Sequence, residues 1–296
     1  MKLATFTTGQ TAEIGLVRGD RLLSLTRAAP QLAPDMMALI AGWDALEAEV
    51  RRLDAAGETH LDLSEARLLA PVPHPRKILA IGLNYADHVA ESGLPTPEHQ
   101  LWFAKLPNTV NGPYDDVQIP LASDKVDYEV ELVAVIGRPG RHIAAAAAPQ
   151  HVFGYCVGND VSVRDWQIQT PQWVLGKSFD GHGPIGPWIT TADEIGDPHR
   201  LDIRCLVNGE LRQDSNTRHL VFDVWQQIAH LSEAMTLEPG DLLFTGTPGG
   251  VGWAMQPQQV LKSGDRVRCE IAELGAIECR MVPEAAPAAR RASNAA

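Results

Sequence analysis

Glu129 and Glu131 stand two residues apart in KVDYEVELVAVIGR, which runs from Lys125 to Arg138. Val126, Tyr128, Val130, Leu132, Ala134 and Ile136 alternate with other residues there, the period of a β-strand. The two carboxylates therefore leave one face of a strand, about 6.5–7 Å apart along the backbone. Like charges on one face repel, and burial raises the cost. Either the strand is an exposed edge with a solvated acidic face, or a divalent cation turns repulsion into ligation. Carboxylate oxygens suit Mg²⁺, Mn²⁺ or Ca²⁺. Flanking Tyr128, Val130, Leu132 and Val133 weigh against full exposure. Asp160 offers a third ligand, where the strand-like run Val152–Val157 ends beyond Gly158. The alternative is that Asp160 only caps the next turn, where Ser162 and Asp165 have the spacing of a helix-starting pair.

A second group of residues could do acid–base work. Tyr85 to Glu91 is expected to form a short helix, stopped by Gly93, Pro95 and Pro97. His88 and Glu91, three apart, share one helical face. A carboxylate beside an imidazole fixes its tautomer and raises its basicity, which is how a water is activated. An exposed surface pair is the alternative. The proline-rich exit suggests a lid that orders over a ligand. Lys177 lies in the Gly/Pro- and aromatic-rich WVLGKSFDGHGPIGPW, either snorkelling or facing an oxyanion as a fixed charge. FTGTPGGVG, Phe244 to Gly252, lacks the GK[ST] ending of a phosphate loop. Its turn at Gly246 and Thr247 could present backbone N–H groups and a hydroxyl to a carboxylate, or be a plain tight turn.

The elements that position these residues are mostly short strands: Ile78–Leu83, Val130–Ile136, Val152–Val157, Leu201–Val207, Asp241–Thr245 and Arg266–Ile271. Helical patterns cover Tyr85–Glu91, Ser162–Gln169 and Val221–Ser232. Long helices do not alternate with the strands, so the pattern predicts a β-rich α+β fold, not a doubly wound one. Residues 1–70 read as a small α+β unit, with a hairpin around Gly19-Asp20 and one helix from near Asp35 to Gly57. Residues 71–283 form the main domain, after a proline-rich linker. Residues 284–296 are low in bulky apolar residues and expected to be disordered.

Of 296 residues, 45% are hydrophobic, and 37 Asp and Glu outnumber 25 Lys and Arg for a net charge of −12. That balance disfavours nucleic acid as a partner. No apolar stretch reaches the ~18 residues of a membrane span. The N-terminus lacks the apolar core of a signal peptide. Four cysteines without a CxxC signal neither zinc nor a redox pair; Cys156, Cys205 and Cys269 read as packed hydrophobes. A reducing cytoplasm is the expected compartment.

In order, GLNYADHVAE, DYEVELVAVIGR, GNDVSVRDWQ, GKSFDGHGPIGPW and FTGTPGGVG resemble the fumarylacetoacetate hydrolase family, in its shorter bacterial, acylpyruvase-like branch, over residues 71–283. The resemblance implies a mixed β-sandwich roll and a homodimer with one Mg²⁺ or Mn²⁺ per subunit. It implies Glu129, Glu131 and Asp160 as metal ligands and His88 and Glu91 as the water-activating dyad. Lys177 and Gln167 would contact the substrate and its oxyanion, and Thr247, in the turn begun by Gly246, would hold the substrate carboxylate. The fourth metal carboxylate and the different acidic partner of the longer eukaryotic hydrolases have no counterpart here, which points away from fumarylacetoacetate as substrate.

The reaction so implied is hydrolysis of a C–C bond in a 1,3-diketo acid of acylpyruvate type, through an enolate held on the metal. The same enolate serves an oxaloacetate-type decarboxylase and a 2-oxo acid isomerase or dehydratase. A protein that only sequesters oxo acids is the non-enzymatic reading.

Overall fold

The computed structural model describes residues 1–93 and 95–285. Most of the tail expected to be disordered, from residue 286 on, lies outside the described residues. The fold is β-rich α+β, as the pattern predicts. One sheet runs, in spatial order, Leu61–Asp62, Arg21–Ser24, Glu13–Arg18, Lys2–Thr7, Gly183–Thr191, Val152–Asn159, Val130–Ile136, Leu242–Phe244, Ile78–Gly82 and Leu101–Lys105. A second runs Glu210–Asn216, Asp202–Val207, Arg266–Ile271, Gly275–Pro283 and Val117–Ile119. The hairpin around Gly19-Asp20 forms with Arg18 paired to Arg21, and Lys2 and Leu3 pair with Thr190 and Ile189, which adds the N-terminal strands to the main sheet.

Strand Val130–Ile136 is buried along its whole length. Leu132, Ala134 and Ile136 pack with Ile203, Cys205, Val267 and Cys269 of the second sheet. Val133 and Val135 pack in another cluster, with Leu39 and Ile40. Both faces of the strand are thus covered by different layers. That is why it reads as alternating at its start and continuously apolar at its end.

The N-terminal helical pattern is two helices, Met36–Ala41 and Trp43–Ala56, not one. Gly42 breaks it: its N–H closes the first helix on Ala38, and its φ and ψ of −95° and 6° are not helical. Asp35 caps the start by accepting from the Ala38 N–H, and Gly57 ends the second helix in the left-handed region. The helix near Asp160 is shorter than its pattern, Arg164–Ile168, and has no side-chain cap. Ser162 lies in a short strand paired with Asp127 and spends its hydroxyl on the Asp160 carbonyl at 2.8 Å, so it does not cap. All four cysteines are buried free thiols. Among the described residues, no helix is long and apolar enough to cross a membrane.

The segment that carries Lys177 is pinned by His182, whose Nε2 donates to the Gln118 carbonyl at 2.7 Å. Burial pulls this imidazole down to about 4, although the Gln118 carbonyl acts in the opposite direction. Below pH 6.5 the unfolded chain takes up a proton that the fold refuses, so stability is full above pH 6.5 and declines as pH falls toward 4. The loss amounts to roughly 3 kcal/mol over that window. Urea unfolding at pH 7 and pH 4.5 should show it, and His182→Gln should flatten the dependence; an unchanged slope would contradict this assignment.

Candidate active site

The three carboxylates singled out by spacing converge. Glu129, Glu131 and Asp160 are buried, each offering a ligand oxygen within 4.8 Å of the others. Backbone pairing explains the convergence. Val130 pairs with Asn159 and Glu131 with Gly158. Just beyond the ladder the Asp160 N–H donates to the Glu129 carbonyl at 2.8 Å, and the Glu129 N–H donates to Asn159 Oδ1 at 2.9 Å. Two chain segments are thereby clamped where their acids emerge.

Three buried cations surround the cluster. Lys177 Nζ bridges Glu129 Oε2 and Asp160 Oδ2, each at 2.7 Å. Lys105 Nζ reaches Asp160 Oδ1 at 2.7 Å and the Lys177 carbonyl at 2.5 Å. Arg164 Nη1 lies 2.6 Å from Glu129 Oε1, while its Nε and Nη2 donate to Asp127 Oδ2 at 2.9 and 2.8 Å. Burial opposes ionisation of Glu129, but Lys177 and Arg164 outweigh it and hold its carboxyl near about 2. Burial likewise opposes the Lys177 charge and is outweighed by Asp160 and Glu129, so its pKa is raised.

Glu131 is different. Among the described residues it has no cation within ion-pair distance; its Oε2 accepts from the Gly246 N–H at 2.7 Å. Burial first, then Asp160 and Glu129, push its carboxyl well above the usual range. Three buried oxygen donors, one of them uncompensated, fit a hard dication.

Asp127, Lys105, Arg164 and Gln213 also belong to this site, though their spacing alone does not mark them. Asp127 lies in the short strand Val126–Asp127 and takes up Arg164 together with the Gly252 and Trp253 N–H groups. Lys105 ends the apolar strand Leu101–Lys105, and Arg164 follows Asp160 by four residues; a cation next to a carboxylate segment was the available signal. Gln213 carried none. It sits in the second sheet, accepts from the Val130 N–H at 3.0 Å, and donates to Thr247 Oγ1 and the Pro248 carbonyl, each at 2.8 Å.

The glycine-rich turn joins the two chemistries. Gly246 N–H holds Glu131, the Thr247 hydroxyl donates to the Val130 carbonyl at 2.9 Å, and the Gly250 N–H donates to Glu91 Oε1 at 2.9 Å. Gly250 has φ +99°, and a Cβ there would lie 2.0 Å from the Arg212 carbonyl oxygen, so a side chain is excluded. The other oxygen of Glu91 meets His88 Nδ1 at 3.2 Å on helix Ala86–Ser92. Asp87 of the same helix accepts from Ser215 Oγ at 2.7 Å. The helix is therefore docked on the turn and on the second sheet.

His88, Glu129, Glu131, Arg164, Gln167, Lys177 and Thr247 line one cavity of about 230 Å³. Glu91 stands behind His88. Gln167 Oε1 accepts from Arg164 Nη1 at 2.9 Å, which leaves its amide N–H groups as donors toward the cavity. Thr247 Oγ1 is engaged by Val130 and Gln213, so any substrate contact there shares that oxygen. Trp173 lines the cavity, whereas Trp102 and Trp166 pack on the core.

A family model described as fumarylacetoacetate (FAA) hydrolase C-terminal matches residues 77–282. The chain belongs to the fumarylacetoacetate hydrolase family. A Homo sapiens protein named oxaloacetate tautomerase FAHD2A, mitochondrial, is 44% identical over 266 residues, 89% of this chain and 85% of that protein. Maleylpyruvate hydrolase from Sphingobium sp. SYK-6, solved with manganese(II) and pyruvate, superposes with a TM-score of 0.80 at 35% identity, covering 96% of this chain and 99% of that one. A 5-carboxymethyl-2-hydroxymuconate delta-isomerase from Mycobacterium smegmatis gives a TM-score of 0.76 at 31% identity, covering 97% and 100%. The family fold thus carries hydrolase, isomerase and tautomerase names, and one relative holds a divalent metal.

Ligation requires a charged Glu131, so metal entry should expel its proton and affinity should rise with pH. Manganese titration followed by electron paramagnetic resonance should show binding that tightens as pH rises, because burial raises the carboxyl that must ionise. Glu129→Gln should weaken binding by roughly 100-fold.

Proposed function

We propose that this protein is a divalent-metal-dependent enzyme that interconverts the keto and enol forms of a 2-oxo acid. The observation that carries the reading is His88 on the wall of a small cavity, across from the buried carboxylates. A volume of about 230 Å³ falls below the ~300–1,000 Å³ of drug-sized pockets and suits a metabolite of a few carbons. The tautomerase name of a 44% identical relative supports the same chemistry.

Glu129, Glu131 and Asp160 would hold Mg²⁺ or Mn²⁺. A dication bound there supplies Lewis-acid polarisation of the oxo acid's oxygens. Glu91 accepts from His88 Nδ1–H, which leaves Nε2 as the basic nitrogen. In the keto-to-enol direction Nε2 takes a proton from C3 and hands that same proton to the 2-oxygen, leaving His88 neutral again; the reverse direction retraces the transfer. Glu91 steadies the imidazolium between the two transfers. The Lys177 ammonium and the Gln167 amide stabilise charge on the oxygen. Docking of helix Ala86–Ser92 keeps bulk water from the exchanging proton.

Hydrolysis of acylpyruvates is the second reading, favoured by the same His88–Glu91 pair and by the hydrolase solved with pyruvate. There Nε2 would deprotonate a water instead of carbon. We also propose a homodimer; Leu121, Ile168 and Leu175, 62%, 64% and 63% exposed, support an apolar contact face.

Decay of enol absorbance in the ultraviolet, with oxaloacetate and phenylpyruvate in Mn²⁺ buffer, tests the proposal. Catalysis should exceed the metal-only rate and vanish with chelator. His88→Asn should cut it by about 100-fold or more while leaving Mn²⁺ affinity within a few fold. No acceleration of either enol sinks the tautomerase reading, and release of two acids from an acylpyruvate would install the hydrolase in its place.

A further inference from the structure

His88 reaches the cavity from helix Ala86–Ser92. Seven residues are too few to hold a helix on their own in water, and no side chain caps this one at Tyr85. What grips the helix from outside therefore decides where His88 points. Its start is clamped through backbone groups. Tyr85 and Leu220 form an antiparallel bridge, the Val221 N–H donates to the Asn84 carbonyl at 2.8 Å, and the Phe222 N–H donates to Asn84 Oδ1 at 2.8 Å. A clamp at one end fixes position but leaves rotation about the axis to be set elsewhere.

Asp87 and Glu91 set that rotation. Four residues apart, they share one face of the helix. That face meets the glycine-rich turn, where the Gly250 N–H donates to Glu91 Oε1 at 2.9 Å and the Gly249 N–H reaches Asp87 Oδ1 at a long 3.4 Å. His88 follows Asp87 at about 100° around the axis, so fixing this face fixes the direction of the imidazole. The strong partner of Asp87 comes from the second sheet. Ser215 Oγ, on strand Glu210–Asn216, donates to Asp87 Oδ2 at 2.7 Å, the short distance of a charge-assisted hydrogen bond. Asp87 Oδ1 also accepts the His88 N–H at 2.8 Å, which ties the carboxylate to the backbone of the base itself. Behind Ser215, His219 Nδ1 stands 3.2 Å from Oγ. The serine has one proton and gives it to Asp87, so His219 is the donor in that contact. Asp87, Ser215 and His219 are not among the residues lining the cavity.

We propose that Ser215 is a positioning residue for the base: through Asp87 it sets the rotation of helix Ala86–Ser92 and so aims His88 at the substrate. The proposal rests on His88 as the base, and it holds whether the proton comes from carbon or from water.

Ser215→Ala tests it in the Mn²⁺-loaded protein, with Ser215→Thr as the variant that keeps the hydroxyl. Amide hydrogen exchange over the helix Ala86–Ser92 should quicken about tenfold in Ser215→Ala, the scale of one hydrogen bond to a charged group. Exchange in strand Val130–Ile136 should not change. In protein carrying nitrogen-15 histidine, the Nδ1–H signal of His88, assigned by its loss in His88→Asn, should shift or broaden. Turnover of the enol, or of an acylpyruvate, should fall about tenfold in kcat, with KM and Mn²⁺ affinity held. Ser215→Thr should restore all three readings. Unchanged helix exchange or an unchanged His88 signal in folded Ser215→Ala would overturn the proposal. So would quickening that extends equally through strand Val130–Ile136, the mark of a general loss of stability. Local quickening with kcat unaltered would also overturn it, because the helix would be latched without aiming the base. Absence of turnover in the unaltered protein would sink the proposed function instead, and the exchange and His88 readings would still decide for or against Ser215.

Discussion

Four carboxyl groups share the buried floor of this protein with three cations, and that imbalance organises the site. Asp127, Glu129 and Asp160 are matched by Arg164, Lys177 and Lys105 at hydrogen-bonding distance. Glu131 is the surplus acid, supported by a backbone N–H. A buried charge without a partner is strongly destabilising, so Glu131 either keeps a proton or gains a cation. A dication reverses the sign of the imbalance and leaves the floor receptive to an anion. The acidity of the whole chain therefore does not oppose binding of an oxo acid.

The glycine-rich turn converts this electrostatic arrangement into a mechanical one. It touches Glu131 through Gly246, strand Val130–Ile136 through Thr247 and the His88–Glu91 pair through Gly250. Gln213 holds the turn from the second sheet. Because one short segment contacts both the carboxylate floor and the lid helix, displacing the helix frees the Gly250 N–H and the Glu91 carboxylate together.

Much of this could be read from spacing. Glu129 and Glu131 are legible because strand geometry has a strict period of two, and Asp160 because a strand ends just before it. His88 and Glu91 are legible because a helical face repeats every three to four residues. The compensating groups were harder to see, since their partners come from remote segments. Lys105 lies 55 residues from Asp160, and Gln213 lies 83 from Val130. Helix continuity across Gly42 and a capping role for Ser162 fail for different reasons: Gly42 takes a non-helical φ and ψ, and Ser162 is drawn into a strand paired with Asp127, its hydroxyl held locally. That hydroxyl donates to the carbonyl of Asp160, two residues earlier.

The proposed chemistry needs one divalent ion at Glu129, Glu131 and Asp160. Anomalous diffraction from crystals grown with Mn²⁺ locates it most directly. A single strong peak per chain in contact with one oxygen of each of the three residues is the predicted result. A peak elsewhere, or none at a concentration that saturates binding in solution, would contradict the account.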